Sequence, residues 1–254
     1  ESKDAAQKMA DTMTTIGSNT FRSTGKLKKV VLSATLKTVG DCSFFSSAVT
    51  EVMPFLPDTV TSVGFQAFYN SPLLGGTFRA GYAATLSFGT GDYSRGQQLA
   101  RTSIEKVDLG PAATSVPLWF TAGSESASDG LATLKEIKWS DNLTTLGRWS
   151  FGYCTNLTTV TPLLPTNCTS VGPYAFKGCY NLKGKAVLGM GGAVTFVGGA
   201  NSVSETFLGS GIEEIEFGSG VTSVGSYICQ DCASLTNVTF SGDEATTVSL
   251  GNSA

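Results

Sequence analysis

One phrase recurs from near the start of this 254-residue chain almost to its end: Thr or Ser, an apolar residue, Gly, and an aromatic four positions after the Gly. It reads Thr15-Ile16-Gly17 with Phe21, Thr38-Val39-Gly40 with Phe44, Ser62-Val63-Gly64 with Phe68, Thr145-Leu146-Gly147 with Phe151, and Ser170-Val171-Gly172 with Phe176. Ser223-Val224-Gly225 repeats it with Cys229 in the aromatic slot, and Leu86-Ser87-Phe88-Gly89 with Tyr93 is a weaker copy. Self-similarity at a period of roughly 20 to 50 residues marks a solenoid, whose units bury their apolar faces only against their neighbours. Mere abundance of Gly would not fix its distance from the aromatic. The Gly therefore marks a corner, where positive φ or close backbone approach excludes a Cβ.

Between these phrases lies a second one: apolar, two variable residues, apolar, variable, apolar. It occupies residues 27–32, 49–53, 104–109, 134–139, 157–161, 212–217 and 235–240. Its last part alternates with period two, so two apolar residues face inward around one that faces out. β-branched and aromatic residues fill it, as strands prefer. Each unit thus reads strand, corner, a second short extended segment ending in Gly, and a tight aromatic-bearing turn. The step from Leu134 to Leu157 and from Ile212 to Leu235 is 23 residues, inside the roughly 20–29 of a leucine-rich repeat.

The passage Leu157-Thr158-Thr159-Val160, followed by Thr169-Ser170-Val171-Gly172-Pro173-Tyr174-Ala175-Phe176-Lys177-Gly178-Cys179-Tyr180-Asn181-Leu182, resembles the bacterial surface-antigen class of leucine-rich repeats, called BspA-like. The resemblance covers roughly residues 14 to 250. It implies a right-handed leucine-rich-repeat superhelix, mainly β, of short parallel strands joined by turns and short 3-10 or helical returns. It also implies an exported, cell-surface or secreted bacterial protein that binds other proteins, as in adhesion. A scaffold shared within a family does not fix the ligand.

A longer period overlies the short one. A shift of 108 residues carries Pro54, Leu56, Pro57 and the phrase ending in Phe68 onto Pro162, Leu164, Pro165 and the phrase ending in Phe176. The same shift carries Ile104 and Glu105 onto Ile212 and Glu213, while 107 residues separate Leu27 from Leu134 and Phe44 from Phe151. Duplication of a four-repeat module is the simplest cause. The third repeat of each block is expected to carry a variant strand with a Gly inside (from Leu74 and from Leu182) and a longer return, around 89–103 and 197–211. We therefore expect one elongated leucine-rich-repeat domain over 1–254: a capping helix within 1–13, a first block over 14–133 and a second over 134–254. Met9, Ala10 and Met13 lie at helical spacing, suited to covering the open end of a solenoid.

Composition excludes several functions. The chain has no His, so His-based nucleophilic triads and the common zinc sites are ruled out. With 17 basic and 20 acidic residues it lacks the basic excess of a nucleic-acid binder. The longest uncharged run, between Lys185 and Glu205, is broken by Gly, Thr, Asn and Ser and does not read as a membrane span. Gly189-Met190-Gly191-Gly192 lacks the Lys-Ser/Thr of a phosphate loop. Cys154, Cys179 and Cys232 share one recurring slot and read as stacked buried thiols, although Cys154 and Cys179 in adjacent coils lie within disulfide reach. Cys229 and Cys232 have the spacing of a redox motif without its usual βαβ setting.

What remains is surface. The outward strand positions, including Lys29, Glu51 with Met53, Lys106 with Asp108, Glu136 with Lys138, Thr159, and Glu214 with Glu216, are expected to form one ladder across a sheet. The return near Tyr93 and Arg95 and the Ser-rich insertion at 123–130 are further candidates, because loops interrupting a repeat often lie on a binding face. A one-signed or apolar ladder would favour a binding surface for a protein or glycan on a host, matrix or neighbouring cell. A uniformly polar ladder would favour a spacer. Glu214 and Glu216 could serve a glycoside hydrolase only within a pocket. No catalytic residue, cofactor or metal is expected, and a monomer is.

Overall fold

The computed structural model describes residues 12–53, 55–73, 76–91, 95–125, 129–160, 162–190, 192–196, 204–241 and the strand Ser249–Leu250. The expected capping helix up to residue 11 and Tyr93 lie outside the described residues. Strands come in two alternating kinds. The Gly-bearing phrase forms the short ones: β1 (Thr15–Ile16), β3 (Thr38–Val39), β5 (Ser62–Val63), β7 (Ser87–Phe88), β9 (Ser115–Val116), β11 (Thr145–Leu146), β13 (Ser170–Val171), β15 (Thr195–Phe196), β17 (Ser223–Val224) and β19 (Ser249–Leu250). The second phrase forms β2 (Lys29–Val31), β4 (Glu51–Met53), β6 (Thr77–Ala80), β8 (Lys106–Leu109), β10 (Glu136–Lys138), β12 (Thr159–Val160), β14 (Lys185–Leu188), β16 (Glu214–Gly218) and β18 (Asn237–Ser241). Every pairing is parallel and joins strands of one kind, so each coil adds one strand to each of two faces. The fold is a parallel β-solenoid of leucine-rich-repeat type with almost no helix among the described residues.

A third face is made by the turn after each Gly. There every second N–H bonds within the turn, as Ser43 to the Gly40 carbonyl and Phe45 to the Cys42 carbonyl. The alternate N–H groups reach the next coil: Cys42 donates to Phe65, Phe44 to Ala67 and Ser46 to Tyr69. Aiming them outward requires left-handed backbone at non-Gly residues, and Cys42, Gln66, Trp149 and Tyr174 all adopt it, with φ of 51°, 50°, 57° and 63°. Such geometry costs energy and persists only where its surroundings fix it; here the inter-coil hydrogen bonds do so. The Gly two residues earlier has ordinary φ. Close approach is its reason: a Cβ on Gly40 would lie 2.6 Å from the Ser18 nitrogen, and one on Gly64 2.5 Å from the Asp41 nitrogen.

Inside, the aromatic slot builds a column of rings. Phe21, Phe44 and Phe68 stack at 5.2 and 5.3 Å, and Phe151, Phe176 and Phe207 at 5.8 and 5.7 Å. Phe55, Phe78 and Phe120 bridge the two stacks: Phe55 lies 5.4 Å from Phe68 and 5.8 Å from Phe78, Phe78 meets Phe120 edge-on, and Phe120 lies 5.9 Å from Phe151. One assignment needs correction. In the weak copy the slot belongs to Leu99, not Tyr93, because Phe68 donates to Gln98 and so pairs its coil with Leu99. After Val116-Pro117 the ring is displaced by one residue: Thr121 occupies the slot and the preceding Phe120 fills the core. The same exchange recurs 108 residues on, where Ile228 is buried and Cys229 takes the slot.

The 108-residue shift also holds for the strands. It carries β5 onto β13, β6 onto β14, β7 onto β15 and β9 onto β17 residue for residue. It further relates the interruptions of the sheets, between β4 and β6 and between β12 and β14 on one face, and between β7 and β9 and between β15 and β17 on the other. The first pair of gaps follows the Pro-x-Leu-Pro segments. Their buried Leu56 and Leu164 and the half-buried Phe55 wedge between coils, where Pro supplies no ladder N–H. At the β7–β9 gap Pro117 takes the place of the usual Gly. The variant strands begin after Gly76 and Gly184, so those glycines precede the strand and do not lie inside it.

Candidate binding surfaces

The strand alternation points Lys29, Glu51, Lys106, Asp108, Glu136, Lys138, Glu214 and Glu216 outward, but the ladder is not continuous. Lys29, Glu51 and Met53 lie in a two-stranded sheet, Lys106, Asp108, Glu136, Lys138 and Thr159 in a four-stranded one, and Glu214 and Glu216 in a third. Within each sheet the charges meet across coils. Lys29 pairs with Glu51 at 3.3 Å, Lys106 with Glu136 at 2.8 Å, Lys138 with Asp108 at 3.0 Å and Lys185 with Glu216 at 2.5 Å. Register makes this happen, since Lys106 stands opposite Glu136 and Asp108 opposite Lys138. The Glu136 carboxylate raises the pKa of Lys106 through its hydrogen bond.

Asp108 is the hub of the middle sheet. It accepts from the Tyr82 hydroxyl at 2.6 Å and faces Arg79, which also pairs with Asp58 and lies 3.4 Å above the Tyr82 ring. Lys138 donates to the Tyr82 hydroxyl at 3.0 Å, and that bond is the main cause of its raised pKa. Beside this cluster an open groove runs along the first wedge, lined by Phe55, Asp58, Thr59, Thr77 and Arg79. The second wedge carries its counterpart, lined by Pro162, Thr166, Val187 and Met190.

Glu214 and Glu216 lack the setting of a catalytic pair. Lys185 and then Ser241, both hydrogen-bonded to Glu216, lower its pKa, whereas a general acid needs its pKa raised. Among the described residues no group of His, Cys, Asp or Glu could hold a metal ion, and no helix is long and apolar enough to cross a membrane.

The turn face holds what the strand pattern did not single out. Phe45 and Tyr69 stack at 5.0 Å, with Arg22 over the first ring at 4.6 Å and Arg101 near the second at 5.8 Å. Farther along, Trp119 and Trp149 stack at 5.5 Å and Trp149 and Tyr174 at 4.6 Å. Cations flank this stack too: Arg95 over Trp119 at 4.7 Å, Arg148 over Tyr174 at 5.0 Å and Lys177 over Tyr174 at 4.8 Å. Two acids join it, Glu125 on Arg148 and Glu205 on Lys177. The loop candidate Arg95 thus belongs to this face, and the 123–130 insertion reaches it through Glu125. These rings stand two or five residues after the corner position, a spacing that could have revealed them.

The order of these elements can be set against known families. The BspA type leucine-rich repeat region matches residues 7–82, 124–187 and 200–254, in six copies. The chain belongs to the BspA type leucine-rich repeat family. The unmatched residues 83–123 and 188–199 include the first long return and the start of the second. A leucine-rich repeat protein from Bacteroides ovatus is 19% identical over 96% of this chain and 62% of its own, with a TM-score of 0.53, and shares the fold. A T. pallidum leucine-rich repeat protein is 18% identical over 89% of this chain and 74% of its own (TM-score 0.46). A leucine rich cell surface protein from Faecalibacterium prausnitzii is 18% identical over 94% and 66% (TM-score 0.39). No curated protein gives a significant match.

Proposed function

We propose that this BspA-type repeat protein is a non-catalytic, exported bacterial surface or secreted protein, one elongated monomeric domain that binds a protein partner through the turn face of its solenoid. One observation carries the choice of face: the turn side presents half-buried rings flanked by Arg and Lys, Phe45 stacked on Tyr69 and Tyr174 stacked on Trp149, which is itself buried with Trp119 beneath the surface. Tyr, Trp and Arg dominate the energetics of protein interfaces, and a stacked ring is already ordered before binding. The strand ladder is less suited. Its charges are paired within the molecule, and a partner would have to break those pairs to use them. Solenoid proteins in general present such extended surfaces to partners.

The ion-paired ladder also fits a second reading, a spacer that holds another domain away from the cell. One experiment separates the two. The purified protein is screened against immobilised matrix proteins and glycans at micromolar concentration, together with Tyr69→Ala/Arg101→Ala and a Lys106→Glu/Glu136→Lys exchange. Binding lost in the first variant and kept in the second supports the turn face. The reverse pattern moves the site to the ladder, and no binding at all leaves the spacer reading.

A further inference from the structure

Seven residues after the corner position the coils carry a small side chain, and in three of them it caps a carbonyl of the aromatic slot in the preceding coil. Ser71 donates to the Phe44 carbonyl, the Cys179 thiol to Phe151 and the Cys232 thiol to Phe207. This position lies beside the aromatic slot of its own coil. In two coils a buried Phe stands there, Phe151 next to Cys154 and Phe176 next to Cys179, and both thiols are fully buried. Burial raises the Cys154 pKa to about 12 and that of Cys179 well above its usual value. Such thiols are inert.

The coil of Cys229 differs. Its bulk is carried by Ile228, so a thiol fills the aromatic slot and meets the thiol of Cys232. The two are hydrogen-bonded to one another, and both are half-buried where Cys154 and Cys179 are sealed. The Cys232 nitrogen donates to the Cys229 carbonyl at 3.2 Å, a tight turn that brings the ends within disulfide reach. Hydrogen bonds from Cys229 and then from Ser210 bring the Cys232 pKa down to about 7, and the same partnership pushes that of Cys229 up.

We infer that Cys229 and Cys232 form a redox-active dithiol that exchanges with low-molecular-weight disulfides and closes to an intramolecular disulfide. The Cys232 thiolate attacks one sulfur of the small disulfide; that S–S bond breaks, one small thiolate leaves, and a mixed disulfide forms on Cys232. Cys229 gives its proton to the departing thiolate and attacks the Cys232 sulfur, expelling the second small thiolate, which takes the proton lost by Cys232. The protein dithiol is oxidised by two electrons and the small disulfide is reduced to two thiols. Burial limits the reaction to this pair: Cys154 and Cys179, although neighbours in adjacent coils, are fully shielded from solvent, so a small disulfide does not reach them.

The test uses the full chain and oxidised glutathione. After incubation under native conditions and an acid quench, the protein is denatured, alkylated and mapped by mass spectrometry. Four of the six cysteines are expected to alkylate, with the missing two in one peptide as a Cys229–Cys232 disulfide. Cys229→Thr, which borrows the Thr that fills the equivalent slot at Thr121, is expected to stop at a glutathione adduct on Cys232. Cys232→Ser, which borrows the Ser of Ser71 and Ser210, is expected to form neither product. Six alkylated cysteines in the wild type, or adducts spread evenly over Cys42, Cys154 and Cys168, overturn the inference. Circular dichroism of both variants checks that each folds, and a negative result counts only for a folded variant.

Discussion

The strand faces and the turn face of this solenoid are built by the same coils, yet only one is continuous. The strands are interrupted twice on each face. The turn ladder passes every one of those gaps. Beside the β4–β6 gap Cys42, Phe44 and Ser46 still donate to the next coil, and beside β12–β14 Trp149, Phe151 and Tyr153 do. Beside β7–β9 the donors are Gln97 and Leu99, and beside β15–β17 they are Glu205, Phe207 and Gly209. The turn face is therefore the spine that keeps the coils in register. The strand faces absorb insertions, wedges and prolines without loss of that register.

The largest expected effect falls on the spine's inner side. Phe176 is fully buried and stacked on both Phe151 and Phe207, so Phe176→Ala should cost about 3–5 kcal/mol in denaturant unfolding. Because each coil rests only on its neighbours, the transition should also broaden as the array parts there. Removing a wedge residue, as in Phe55→Ala, should cost less, since Phe55 is only half-buried. Equal losses would mean that the wedges matter as much as the spine.

Alkaline pH tests the same column chemically. Burial raises the pKa of Cys154 from about 9 to about 12. A thiol whose pKa is higher in the folded than in the unfolded state stabilises fully below the unfolded value, and its contribution fades as pH rises through the window between the two. Stability should fall above about pH 9, by up to roughly 4 kcal/mol near pH 12 from Cys154 alone at about 1.4 kcal/mol per unit. Cys154→Ser should flatten this decline; a wild-type curve level from pH 8 to 11 would show that the buried thiols do not govern it.

A smaller effect separates two glycines with the same place in the phrase. A Cβ on Gly172 would lie 2.6 Å from the Gly147 carbonyl carbon, which is backbone and cannot give way, whereas one on Gly17 would meet only the Thr20 hydroxyl at 3.3 Å. Gly172→Ala should cost about 1–3 kcal/mol through overpacking, and Gly17→Ala close to nothing. Thermal melts of the two variants make the comparison. Equal shifts would show that close approach between coils is not what keeps Gly at the corner.

Much of this architecture is legible in the amino-acid sequence. Period-two alternation puts Val107, Ile137 and Ile215 inside and Lys106, Glu136 and Glu214 outside, because a strand's geometry leaves only two sides. The 108-residue period is visible for the same reason that it holds in space: insertions sit at matching corners. The hydrogen-bond ladder of the turn face is not legible, because nothing in a Cys, Gln or Trp announces left-handed backbone. Those conformations are imposed by the hydrogen bonds of the next coil. Leu99 is hidden by the return inserted before it, and Thr121 and Cys229 by an exchange of bulk with their neighbours, which a fixed-spacing motif cannot register.

The smallest effect belongs to the ladder that the strand pattern singles out. Lys106 and Glu136 face each other at 2.8 Å, but both side chains are about half exposed. Water and salt screen such a pair, and ordering two long side chains offsets most of the Coulomb gain. A double-mutant cycle with Lys106→Ala and Glu136→Ala should therefore give a coupling of about 0.2–1 kcal/mol, shrinking further at high salt. The adjacent pairs Lys135–Glu105 and Lys138–Asp108 could make the cycle exceed that range by acting as a network. A coupling well above about 1 kcal/mol that resists salt would make the strand face a structural element in its own right. A weak, salt-sensitive coupling keeps the division of labour: the turn face holds the coils together, and the strand face carries charges that largely neutralise one another.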